Sequence, residues 1–271
     1  MNKIFTILFS FFSWQSLIAQ DTRFAQYEFT PLLTNPAAIA ADDYMMANID
    51  YRSEQIDQDF TFKATAVNGK YPLFNKEGKR FLAIGLGFAS ERTEGLGDLN
   101  QYGFSSAVAY NHYLGNVWAI SGGVGATYSR REFAVDNYTT GSQWVNNIGF
   151  VPDAANGETF QNLNTSYFSV NGGLQLYQSD ENGEVKHYLG VSVFHFNEPN
   201  QSVLEGDEPR PMRYSVQAGV RAYEGDKFAV GPEVIFNNQA DNNMLGIGAN
   251  ISYLLSDNNP YSPCLLYTSP S

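Results

Sequence analysis

Cysteine occurs once in the 271 residues, at Cys264, so the chain has no internal disulfide framework and no cysteine-built metal site. Histidine is nearly as scarce. His112, His187 and His195 form no His-Glu-x-x-His pair, and helical periodicity is persuasive nowhere. His187 and His195, in "HYLGVSVFH", fall on one face of a continuous strand. At about 3.3 Å per residue they would stand more than about 20 Å apart, too far to share a metal. Lys and Arg total 16 against 28 Asp and Glu, a net charge of −12 with no basic cluster, which excludes a nucleic-acid partner. The acidic excess reads as a solubility feature. No Gly-x-Ser-x-Gly elbow is present, although a Ser, His and Asp gathered from separate strands would leave no local signature. The glycine pairs of "SGGVGATYS" and "LGIGAN" lack the setting of a phosphate loop, and "DNYTTG", "DQDF" and "ADNN" lack calcium-loop spacing. No cofactor is implied. Beyond residue 20 no run of 18 apolar residues occurs, so no transmembrane helix is expected.

What remains is glycine, aromatics and alternation. Charged residues make up only 16% of the chain, while aromatics reach 15% and glycine counts 24. The leader "MNKIFTILFSFFSWQSLIAQ" has Lys3, an apolar run from Ile4 to Trp14, and Ala19 at the cut, and reads as a signal peptide over 1–19. From Tyr44 onward the dominant period is two. In "FLAIGLGFAS", Leu82, Ile84, Leu86 and Phe88 oppose Ala83, Gly85, Gly87 and Ala89; in "MRYSVQAGVRAY", Met212, Tyr214, Val216, Ala218 and Val220 oppose Arg213, Ser215, Gln217 and Arg221. Segments 101–113, 117–130 and 166–178 repeat the scheme, and 44–53, 59–68, 185–197, 227–238 and 243–254 follow it less tidily.

Many of these strands run about 9–14 residues, longer than the soluble mode of about 5–6 and long enough to cross a bilayer when tilted. Tyr102, Tyr110, Tyr113, Trp118, Tyr128 and Tyr177 lie near strand ends, where interfacial girdles form. Tight connections such as "NHYLGNVW" and "YEGDKF" contrast with long polar ones at 130–164 and 197–210, as in outer-membrane barrels. A large soluble sandwich would also alternate and is the competing architecture. Pro232 marks a bulge or a strand start. After residue 256 the pattern stops. The tail 257–271, ending "CLLYTSPS", is either an ordinary coil or a translated sequencing adapter standing where native closing strands belong.

The segment "QDTRFAQYEFTPLLTNPAAIA" resembles the N-terminal signature of the PorP/SprF family, outer-membrane proteins of the type IX secretion system of Bacteroidetes. Gln20, Asp21, Phe24, Gln26, Tyr27, Pro31, Asn35, Pro36 and Ala37 carry the match, with departures at Thr22, Ala25 and Thr30. "HYLGVSVFHFNEPNQS", "PRPMRYSVQAGVRAY" and "KFAVGPEVIF" resemble the family's later strands. Independently of the resemblance, an N-terminal stretch rich in Phe, Tyr and Leu but broken by proline is expected to pack inside the barrel or against its periplasmic rim.

The expected fold is therefore all-β, a transmembrane antiparallel barrel of the outer-membrane type with about 10–12 strands visible. Its expected divisions are a signal peptide (1–19), a periplasmic or lumen-packing segment (20–43), the barrel (44–256) and the tail (257–271). The resemblance implies a non-enzymatic component of type IX secretion in the outer membrane. It further implies delivery or surface attachment of large adhesins, including those of gliding organisms, with a cargo sorting domain, other secretion components and outer-membrane lipid as partners. Trp144, Phe150 and Phe160 in the long loop are candidate partner anchors, or else fold back to plug the lumen. A general porin or hydrophobic-solute transporter, and an outer-membrane hydrolase, are the rival functions.

Overall fold

The computed structural model describes residues 21, 24, 27–55, 60–94, 98–134, 141–145, 148–151, 163–180, 183–203, 206–225, 228–253 and 262–268. The expected signal peptide, Gln20, Gln26 and Phe160 lie outside them. A short 3-10 turn (Tyr27–Phe29), one α-helical turn (Pro31–Thr34) and a 3-10 helix (Pro36–Ala40) precede the strands. The strands follow as β1 (Met46–Gln55), β2 (Thr61–Phe74), β3 (Arg80–Glu94), β4 (Asp98–Tyr113), β5 (Trp118–Ala134), the two-residue strands β6 (Trp144–Val145) and β7 (Gly149–Phe150), and β8 (Asn164–Ser179). After these come β9 (Val185–Phe194), β10 (Arg213–Val220), the short β11 (Tyr223–Glu224), β12 (Phe228–Gln239), β13 (Asn242–Tyr253) and β14 (Ser262–Thr268).

One 12-stranded antiparallel sheet runs β1-β2-β3-β4-β5-β8-β9-β10-β12-β13-β14, with β11 added beside β12; β6 and β7 form a separate hairpin. The sheet is not closed between β1 and β14 among the described residues. Sequence neighbours pair throughout, so each connection is a hairpin. Asn75 caps its turn by accepting from the N–H groups of Glu77 and Lys79, with Gly78 at φ 77° supplying the left-handed residue. This turn, 114–117, 180–184 and 221–227 share one end of the sheet. The strand ends joined through 135–163 and 195–212 lie at the other.

Side-chain placement is inverted relative to a soluble protein. Outward on β3, β4, β5 and β8 stand Ile84, Leu86, Phe88, Phe104, Val108, Val124, Phe168 and Leu174, all exposed. Phe88, Phe104, Tyr128 and Phe168 pair in turn across four adjacent strands, making a continuous outward aromatic row. Inward and buried are Asn68, Lys70, Asn111, Ser121, Ser169, Asn171, Gln175, Ser192, Gln217, Glu233 and Asn237. An apolar surface this extensive exceeds the few hundred square ångströms that soluble monomers expose. Apolar outside and polar inside is the arrangement of a membrane barrel. A sandwich would divide the strands between two facing sheets; here one sheet carries every strand but the two-residue β6 and β7.

Four details differ from the sequence reading. Tyr177 is fully buried and Tyr113 packs beside it, because both share the inward parity of their strands despite lying near strand ends. His195 does not continue β9: the strand stops at Phe194, and His195 at φ 58° turns its ring inward. Pro232 is neither bulge nor strand start. It sits within β12, where pairing passes from β11, last matched at Val230, to β10, first matched at Glu233, so no ladder bond is lost on that side. Ser262–Thr268, within the tail read as either coil or translated adapter, pairs with β13.

Candidate functional site

The described residues between Asp21 and Ala41 run along the inside of the sheet from its long-loop end to its short-turn end, touching strands from β2 to β12. Phe24 packs on Ala64 and Ala66 of β2. The Tyr27 hydroxyl donates to Glu233 of β12 at 3.2 Å. Pro31 opens the helical turn, where its missing N–H costs nothing, and Leu32 packs with Ile39 and Ala40 against Ala83, Ala107 and Ala109 of β3 and β4. Asn35 is completely buried and its side chain is used from both ends. Its amide nitrogen donates to the Leu174 carbonyl at 3.2 Å, and its oxygen accepts from the Ala37 N–H at 3.0 Å, starting the second short helix at Pro36. Ser121 of β5 donates to the Ala37 carbonyl at 3.0 Å, Ser192 of β9 to that of Thr34 at 2.6 Å, and Arg213 of β10 to that of Leu33 at 2.6 Å. Segment carbonyls that lack helical partners are thus satisfied by the wall.

The wall makes room with glycines. A Cβ on Gly123 would lie 2.5 Å from the backbone nitrogen of Ala37, one on Gly85 2.8 Å from Leu32, and one on Gly173 would overlap the Asn35 amide. A cavity of about 30 Å³, lined by Phe24, Tyr27, Thr30, Leu33, Arg213 and Asn237 among others, is left beside the segment. It has room for one or two waters.

Charge fixes both ends of the segment. At the short-turn end Asp42 pairs with Lys70 and Asp43 with Arg80. The buried Arg80 also donates to the Ala41 carbonyl at 3.0 Å and to the Tyr177 hydroxyl at 2.7 Å, and that hydroxyl donates in turn to Asn111. At the long-loop end Asp21 accepts from Arg210, from Arg213 at 3.1 Å, from His195 Nε2 at 2.8 Å and from Gln239 at 3.2 Å. Burial alone would raise the Asp21 pKa, but Arg210, Arg213 and His195 together hold it well below the usual carboxylate range. Burial likewise opposes the Arg210 charge, and Asp21 overrides it, raising the pKa. For His195 burial prevails and lowers the pKa despite Asp21, so the ring is neutral at pH 7.

His195 Nδ1 is hydrogen-bonded to the Ser169 hydroxyl at 2.8 Å, completing a Ser169–His195–Asp21 array with the connectivity of a hydrolytic triad. Ser169 has no exposed surface, and Asp21 is committed to two arginines. The array therefore locks the wall to the segment and presents no nucleophile.

The long loop carries a second feature. Trp144 and Phe150 are a cross-strand pair in the β6–β7 hairpin and are 64% and 44% exposed, and Ile148 at the turn is 75% exposed. Both aromatics are exposed, and the N-terminal segment packs on the inward face of the sheet.

This inward-packed segment is where the sequence signature lies, and the family match spans nearly all of the described sheet. The model for the family described as type IX secretion system membrane protein PorP/SprF matches residues 16–257. The chain belongs to the PorP/SprF family. No curated protein matches it. As a PorP/SprF membrane protein it belongs with the components of type IX secretion, and the family is one of secretion-system proteins rather than enzymes.

The structure gathers Asp21, Phe24, Tyr27, Pro31, Asn35, Pro36 and Ala37 along one interior track, with Trp144 and Phe150 on the loop outside it. Of the wall residues of this PorP/SprF chain that receive the segment, Arg80, Ser169, Arg210 and Gln239 were not singled out from sequence, and His195 was weighed there only as a metal ligand. Arg213 carried a signal as a charge on one side of a cleanly alternating strand.

Proposed function

We propose that this PorP/SprF protein acts in the outer membrane as a non-enzymatic component of type IX secretion. In this reading it supports delivery or surface attachment of particular secreted proteins, such as large adhesins, including those of gliding organisms, and it conducts no solutes. The observation that carries the proposal is the filled interior: Phe24, Tyr27, Leu32, Asn35, Pro36, Ala37 and Ile39 of the chain's own segment are buried against the wall. A general porin needs that space open. Binding then falls to the outside, where the long loop presents Trp144, Ile148 and Phe150. Aromatic anchors of this kind dominate interface hot spots. The occupant we assign to them is the sorting domain of a cargo protein, with other secretion components alongside and lipid against the outward aromatic row.

The test is complementation of a gene deletion. The intact chain restores the missing surface proteins. A Trp144→Ala, Phe150→Ala double variant reaches the membrane in normal amount yet restores less than about a tenth of them, as loss of about 1.4 kcal/mol or more of binding requires. Full restoration by the double variant would remove the hairpin from the proposal. A steady conductance from the intact chain in a planar bilayer would favour the porin instead.

A further inference from the structure

The long-loop end of the lumen is a built anion site that the chain fills with its own Asp21. We infer that Arg210, Arg213, His195 and Gln239 form a carboxylate receptor in the barrel wall, and that an incoming carboxylate competes with Asp21 for it and frees the start of the N-terminal segment. Every donor belongs to the wall: His195 follows β9, Arg210 precedes β10, Arg213 opens β10, and Gln239 closes β12. Each is also held by bonds that do not involve Asp21. Arg210 donates to the Tyr167 hydroxyl at 2.6 Å and to Gln201 at 3.1 Å, with its guanidinium over the Tyr167 ring. Arg213 lies 4.2 Å over the Phe194 ring. The His195 backbone N–H donates to Asn171 at 3.2 Å and its ring accepts from Ser169, while Gln239 donates to the Pro211 carbonyl at 3.3 Å. The receptor therefore keeps its shape when the carboxylate leaves, which is what makes a site pre-organised.

Two further observations point to an external ligand. Arg210 and Arg213 both pair with Asp21 and both also feel Glu91, and Arg210 lies within electrostatic reach of a third guanidinium, that of Arg131. Arg213 Nε is buried and has no hydrogen-bond partner among the described residues, so the donor set is larger than Asp21 uses. Two guanidinium forks suit the planar geometry of a carboxylate. Release need extend no further than Phe24, which is buried against Ala64 and Ala66. The ligand class is a carboxylate, supplied by an acidic peptide or by a small organic acid. This receptor is separate from the Trp144 hairpin, and its test is independent of secretion.

The experiment uses the full chain in detergent micelles and compares wild type with Asp21→Ala. Probes are sodium formate, sodium acetate and a hexapeptide of Asp and Glu, with sodium chloride and phosphate at matched ionic strength as controls. The unfolding midpoint of Asp21→Ala is expected to rise saturably with formate or acetate, with apparent affinity at least ten-fold tighter than in wild type, where Asp21 competes. Chloride is expected to give no such rise, nor is rescue expected in an Asp21→Ala, Arg210→Met double variant. Should Asp21→Ala fail to fold, Asp21→Asn replaces it with the same expectations. In wild type, the acidic peptide accelerates trypsin cleavage after Arg23 if polypeptides are the source; acceleration by acetate alone assigns the site to small acids. No saturable rescue, equal rescue by chloride, or preference for phosphate would overturn the inference.

Discussion

Gly123 lies about a third of the way along β5 with its inward side against the segment: a Cβ built there stands 2.5 Å from the Ala37 nitrogen and 2.6 Å from the Pro36 carbonyl oxygen. Carbon contacts settle near about 3.5–4.0 Å. A methyl group at 123 must therefore drive the segment or the strand apart by roughly 1 Å, and both obstructing groups are backbone. Overpacking of this kind costs about 1–3 kcal/mol. If the strain is relieved by release of the segment, the equilibrium between seated and released states shifts by about 5- to 150-fold. Gly103 is the control, because a Cβ there meets only Ser129 Oγ at 3.7 Å and Thr127 Cγ2 at 3.8 Å, ordinary contacts. The assay is trypsin cleavage after Arg23 in folded, detergent-solubilised protein. Gly123→Ala should be cut several-fold to a hundred-fold faster than wild type, and Gly103→Ala at the wild-type rate. Equal rates for the two variants would refute the claim that the segment rests on the β5 backbone.

Removal of residues 21–40 should lower the temperature at which the barrel loses its heat-modifiable gel mobility; an unchanged transition would show that the segment contributes nothing to stability. Arg80→Met deletes buried bonds to Ala41 and Tyr177, each charge-assisted, and should destabilise by about 2 kcal/mol, measured by urea titration. The exposed Asp43 partner adds little, since water screens it. His195 gives a pH signature. Its folded pKa lies below the ordinary value of about 6.5, so between the two the unfolded chain holds a proton that the native chain does not, and stability falls as the pH drops through that window. Asp21, with its depressed pKa, loses its contribution only below about 3.9 and stays out of the way. His195→Gln should flatten the unfolding midpoint between pH 7 and pH 5, and an undiminished slope would point to other groups.

The barrel was legible because lipid and lumen impose opposite chemistry on alternate residues. Ile84, Leu86 and Phe88 face outward and Ser215 and Gln217 inward as their order in the chain demands. Position along a strand was the weaker guide: Tyr113 and Tyr177 sit where girdle residues would, yet parity turns them inside. The signature from Asp21 to Ala37 was visible as a string of residues, but its contacts were not. Asp21 meets partners 174, 189 and 218 positions away, and no local pattern encodes which side chains on distant strands will converge. His195 shows the same gap at close range, since nothing in "SVFHFN" announces a strand end and a left-handed residue.

The account turns on the N-terminal segment being seated within the sheet, and hydrogen exchange of the intact chain reads this most directly. The N–H groups of Leu33, Asn35, Ala37, Ala38 and Ala41 are all hydrogen-bonded, within a stretch whose side chains are largely buried. Protection of these amides at the level of β4 and β5 is the expected result. Exchange of residues 31–41 within seconds, while β4 and β5 stay protected, would contradict it.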